Sequence, residues 1–103
     1  MGDYITTLHG LSTIGDGRKV VASAGSRVTL ASSTKAKLVI ITAETDNTGL
    51  IVVGGSTVVA AVATRQGIPL NAGDSVTLEI ANLADVYLDT TVSGDGVTYL
   101  YLN

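Results

Sequence analysis

The chain has 103 residues, 46% of them hydrophobic but only 4% aromatic, and carries a formal net charge of −3. It contains no cysteine, which excludes disulfides, thiolate metal sites and a cysteine nucleophile. The negative charge argues against general nucleic-acid binding, and no apolar run approaches the roughly 20 residues that cross a bilayer as a helix.

The length is that of one domain. All four aromatic residues are tyrosine, so the core has to be built from Val, Ile, Leu and Ala. Abundant β-branched residues, 12 glycines and one proline predict strands and turns. A small secreted domain usually carries disulfide staples, so their absence favours a protein matured inside a cell or held in an assembly. Residues 1–40 carry Arg18, Lys19, Arg27, Lys35 and Lys37 against Asp3 and Asp16, a balance of +3. Residues 41–103 carry seven acidic residues against Arg65, a balance of −6. Either the two halves interleave and their charges mix, or they form complementary faces between subunits.

Residues 1–17 (MGDYITTLHGLSTIGDG) hold scattered apolar positions without a sustained period and read as an irregular N-terminal arm. They lack the basic start and apolar stretch of a signal peptide. Residues 18–103 read as the folded domain. Lys19 to Ala22 and Arg27 to Leu30 are two short strands around a polar turn. Ala36 to Ala43 (AKLVIITA) follows, and its consecutive Leu38, Val39, Ile40 and Ile41 predict a strand covered on both faces. Thr45 to Gly49 is a turn and Leu50 to Val53 the return strand of a hairpin. Thr57 to Ala63 reads as another strand, because Val58, Val59 and Val62 oppose a helix.

Gly67 to Leu70 leads into the turn Asn71 to Asp74. Ser75 to Ile80 alternates, with Val76, Leu78 and Ile80 on one face. Ala84 to Asp89 alternates too, with Asp85, Tyr87 and Asp89 outward. Ser93 to Gly96 is a tight turn before the last strand, Val97 to Leu102. About eight short strands at spacings of roughly 8–12 residues predict an all-β, single-domain antiparallel β-sandwich, jelly-roll-like.

No constellation for chemistry emerges. His9, the only histidine, lies beside Gly10 with no local nucleophile or orienting carboxylate. Asp85 and Asp89 on one strand face would stand about 13 Å apart, too far for a glycosidase pair, and read as surface charges. Asp74 and Asp95 read as turn residues that satisfy backbone amides. Asp46, Asn47 and Asp95 lack the spaced oxygen ligands of a Ca²⁺ loop. Gly54 to Thr57 lacks the ending of a phosphate-binding loop. Tyr99 and Tyr101 share a face with Val97; packing explains them better than a sugar-stacking platform. No catalytic, cofactor-binding or metal-ligating residue is assigned, and no enzymatic activity is expected.

The segments VTLASSTKAKLVIITA, DNTGLIVVGGSTV, QGIPLNAGDSVTLEI and ADVYLDTTVSGDGVTYLYLN, within Arg27 to Asn103, resemble small accessory structural proteins of tailed-bacteriophage virions. Their shared signatures are a strand ending in Ser-Ser-Thr, a TG-x-x-x-VGG segment, a G-x-P-L-x-x-G-[DE]-S turn and a terminal G-D-G-V-x-Y-x-Y strand. The resemblance implies a capsid decoration (cement) protein, assembled in the host cytoplasm, that binds the major capsid protein as a homotrimer and stabilises the shell. It carries no catalytic residues over, and residues 1–17 lie outside it. The competing expectation is a tail, fibre or other surface-binding module recognising a glycan or host surface, for which exposed Tyr87, Tyr99 or Tyr101 around a groove would be the sign. Neither nucleic acid nor membrane is an expected partner.

Overall fold

A computed structural model of the chain describes residues 11–103. Eight strands form two four-stranded antiparallel sheets: β1 (Ile14–Val20), β2 (Val28–Thr29), β3 (Leu38–Ala43), β4 (Ile51–Gly54), β5 (Ile68–Leu70), β6 (Ser75–Leu78), β7 (Tyr87–Thr90) and β8 (Gly96–Leu102). The first sheet has the order β1-β8-β3-β6 and the second β2-β7-β4-β5. β1 therefore pairs with β8, β2 with β7, β3 with β6 and β4 with β5. This is the strand order of a jelly roll, a long antiparallel ribbon wound so that alternate pairs fall in opposite sheets. The fold class expected from the sequence is the one observed.

Two-residue alternation places the core. In the first sheet Val39, Ile41, Val76, Leu78 and Val97 face inward; in the second Ile51, Val53, Leu70 and Leu88 answer them, all in one apolar cluster. Fully burying a Val, Leu or Ile side chain contributes about 1.5–3 kcal/mol, so a core without Phe or Trp is still sufficient. A second, smaller cluster lies on the outer face of the second sheet, where Val58 and Ala60 bury Val52 and pack against Tyr87.

Four local expectations differ from the structure. First, Ile14 to Gly17, read as the end of the arm, are strand residues paired with β8. Their two glycines weaken the strand signal but leave room for aromatic rings from β8. Residues 1–10, including His9, lie outside the described residues.

Second, β3 and β4 do not form a hairpin, because the connection between them crosses from one sheet to the other. It is fastened to the turn before β8. Asp95 accepts the Thr48 and Gly49 N–H groups at 3.1 and 2.8 Å. Asn47 donates to the Gly96 carbonyl at 2.8 Å and accepts the Gly96 N–H at 3.0 Å.

Third, Thr57 to Ala63 is no strand of either sheet. A bridge between Val59 and Gln66 and a 3₁₀ turn at Val62–Thr64 fold residues 55–66 over the outer face of β4 and β7. Ile68–Leu70 takes the edge position instead, where Pro69 costs no ladder hydrogen bond. Gly67 makes the approach possible. Its φ is +120°, and a Cβ there would meet the Val53 carbonyl oxygen at 2.7 Å.

Fourth, Leu83–Asp85 is a 3₁₀ turn, not the start of a strand. Asn82 caps it by accepting the Ala84 N–H at 3.0 Å.

Candidate functional site

The register of the first sheet assembles an apolar outer face. Ile14 stands beside Leu102, which stands beside Leu38, and Leu100 stands beside Ile40. These five side chains alternate with the inward ones, so they point away from the core. Ile14 is 69% and Ile40 36% exposed, while Leu38, Leu100 and Leu102 are half-buried. The sequence predicted a strand covered on both faces at Leu38 to Ile41. Among the described residues only the inward pair, Val39 and Ile41, is fully covered. Polar side chains frame the patch: Thr42 and Ser75, joined by a 2.6 Å hydrogen bond, and Thr77 of β6.

At one end of this face Arg18 lies against Glu44, donating from Nε to Oε2 and from Nη2 to Oε1, the latter at 3.1 Å. The charge-rich halves of the chain meet in this forked contact. It holds the Arg18 guanidinium above the ordinary arginine pKa, first through the hydrogen bond and then through the charge of Glu44. An open hollow of about 420 Å³ adjoins it, lined by Arg18, Thr42, Glu44, Asp46 and Thr98. Arg18 and Glu44 in that hollow are bonded to each other.

Tyr87, Tyr99 and Tyr101 do not share a groove. Tyr99 and Tyr101 project from the inner face of β8, half-buried against the core, with ring centroids 6.3 Å apart and planes inclined by 30°. They lie over β1, where Gly17 and Gly15 are their register partners. Burial raises the Tyr99 phenol above the usual tyrosine value, helped by Tyr101 and the charge of Asp16. Tyr87 belongs to the other sheet and packs against the small outer cluster.

Asp89 departs from expectation. The sequence placed it outward with Asp85 as a surface charge. Asp85 is exposed, but Asp89 is 2% exposed. It does point away from the main core, and the 55–66 segment covers it there. Its Oδ1 accepts the Gly25 and Thr90 N–H groups and its Oδ2 that of Ala60, each at 2.9 Å. A buried carboxylate with three amide donors is a structural clasp. Asp74 and Asp95 satisfy backbone amides as expected, Asp74 within its own turn and Asp95 across to the β3–β4 connection.

The signal for the outer apolar face was present in VTYLYL, whose tyrosines occupy one face and whose leucines fill the other. Among the described residues no group of three or more His, Asp or Glu side chains is placed to hold a metal ion, and no helix is long and apolar enough to cross a membrane. Compared with known proteins, the chain matches no family model, no curated protein and no solved structure.

Proposed function

We propose that this chain is a non-enzymatic structural protein of a tailed-phage virion, of the capsid decoration type, that binds the shell and stabilises it. The observation that carries the reading is the outer face of the first sheet. A small domain with a complete core on its inner side still leaves Ile14 and Ile40 exposed, and Leu38, Leu100 and Leu102 half-buried, on the outer one. Contiguous exposed apolar surface of this kind marks an interaction site, and covering it would contribute about 25 cal/mol per Å². The resemblance of its turn and strand signatures to those of phage accessory proteins supports the same setting. Tyr99 and Tyr101 are half-buried against the core and Tyr87 packs on the other sheet, which favours assembly over glycan binding.

The test is cosedimentation of the purified chain with expanded tailed-phage capsids, beside the Ile40→Asp and Leu100→Asp variants. The reading predicts saturable binding that raises the melting temperature of the shell, and loss of binding in both variants with the circular dichroism spectrum unchanged. Equal recovery of wild type and variants, or none of either, contradicts it.

A further inference from the structure

One of the two edges of the first sheet, β1, has a property that none of the other edges shares. β6, β2 and β5 are four, two and three residues long, and β5 contains Pro69. β1 is seven residues long, pairs with β8 in one unbroken register from Ile14 to Val20, and contains no proline. Thr13 and Asn103 exchange both backbone hydrogen bonds just before it, at 2.9 and 3.0 Å, and Val21 donates to the Asp95 carbonyl just after it at 2.9 Å. By antiparallel alternation the odd-numbered residues therefore bond to β8. Ile14, Asp16, Arg18 and Val20 turn their N–H and C=O groups to the open side. Among the described residues nothing pairs with that side.

Charges on an edge strand usually serve to repel another strand. Here their order is self-complementary. In a two-fold antiparallel pairing, the registers that join outward-bonding residues place Asp16 opposite Asp16, Arg18 opposite Arg18, or Asp16 opposite Arg18. Like charges directly opposite each other are destabilising and unlike charges favourable. The favourable register has its axis at Gly17 and sets Ile14 opposite Val20.

We infer that β1 is a homodimerisation edge: two copies of this chain join their first sheets by antiparallel β1–β1 pairing centred on Gly17. Each hydrogen-bonded pair exchanges two bonds, giving about eight across the junction. Asp16 of each copy stands opposite Arg18 of the other. Arg18 keeps Glu44 through Nε and Nη2, leaving Nη1 for the second carboxylate. The two four-stranded sheets become one continuous sheet, and their outer apolar faces become one surface. The contact is isologous and closed. It is not the three-fold association implied by the phage resemblance, and it does not depend on the virion reading.

The test combines mass and cross-linking on the full chain. Light scattering over a dilution series is expected to give twice the single-chain mass, falling to one chain on dilution. Asp16→Arg, which turns both Asp16–Arg18 contacts of the junction into pairs of like charge, is expected to weaken the dimer roughly tenfold. Because the chain has no cysteine, register can be read with single cysteines. An oxidised mixture of the Asp16→Cys and Arg18→Cys proteins is expected to form a cross-linked pair. Neither alone should cross-link, since in this register like positions lie on a diagonal of about 7–8 Å, beyond disulfide reach. A single-chain mass at every concentration, a three-chain mass, or cross-linking of either variant alone as efficient as that of the mixture overturns the inference. Failure to bind phage capsids would leave the dimer standing, and a single-chain mass would leave capsid binding standing.

Discussion

The ring of Tyr101 lies directly over Gly15: a Cβ on Gly15 would come within 2.3 Å of the Tyr101 Cζ atom. Tyr99 covers Gly17 in the same way, its hydroxyl oxygen 2.3 Å from where that Cβ would be. Two glycines that would ordinarily weaken a strand instead receive two aromatic rings, and β1 is fixed to β8 by side-chain packing as well as by its ladder. Gly15→Ala and Gly17→Ala are each expected to destabilise the fold by about 1–3 kcal/mol through overpacking. Urea denaturation would check this. Combining Gly15→Ala with Tyr101→Ala should cost less than the sum of the two, a coupling that independent sites would not show.

Asp89→Ala leaves the Gly25, Ala60 and Thr90 N–H groups without their acceptor under the 55–66 segment. Losing a charged acceptor of buried donors is expected to cost roughly 2–4 kcal/mol. Asp85→Ala, on an exposed turn, should stay within about 0.5 kcal/mol of wild type. Thermal denaturation of the two variants separates the roles; equal effects would mean that Asp89 is not the clasp described.

Asp95 and Asn47 fasten the β3–β4 connection to the same turn. Asp95→Ala and Asn47→Ala are each expected to lose about 1–2 kcal/mol. The double variant should fall short of additivity by about 0.5 kcal/mol or more, because once one anchor is gone the loop no longer holds the other in place. Chemical denaturation of the four proteins in the cycle measures the shortfall directly.

The raised Tyr99 phenol has a stability consequence in alkali. The folded state holds this proton more tightly than the unfolded chain does, so its contribution is complete below the ordinary tyrosine value of about 10. That contribution is lost as pH rises from there through the folded-state value. Stability is therefore expected to fall above pH ~10 by more in wild type than in Tyr99→Phe. Denaturation midpoints across that range, with the phenolate absorbance followed in parallel, would show it.

Much of the fold was legible because it rests on alternation and on turn residues. Val76 and Leu78, or Val97, Tyr99 and Tyr101, declare their inward faces by spacing alone. What was not legible depended on partners distant in sequence. Asp89 looks like a solvated charge until the 55–66 segment folds over it. Val58 and Ala60 look like strand residues, yet their apolar side chains are used on the outside of a sheet. Thr45 to Gly49 has the composition of a hairpin turn, but hydrogen bonds that its residues make to Asp95 and Gly96, across more than forty positions of chain, direct it to the opposite sheet. The outer apolar face was half visible: Leu100 and Leu102 marked β8 as apolar on both sides, but only the register with β3 and β1 joined them to Ile40 and Ile14.

The proposal that this chain is a component of a virion is tested by mass spectrometry of density-purified phage particles released by cells that make it. Its peptides are expected in the particle band at a fixed ratio to the major capsid protein, retained through repeated banding. Peptides confined to the soluble fraction, with none banding alongside the capsid protein, would contradict it.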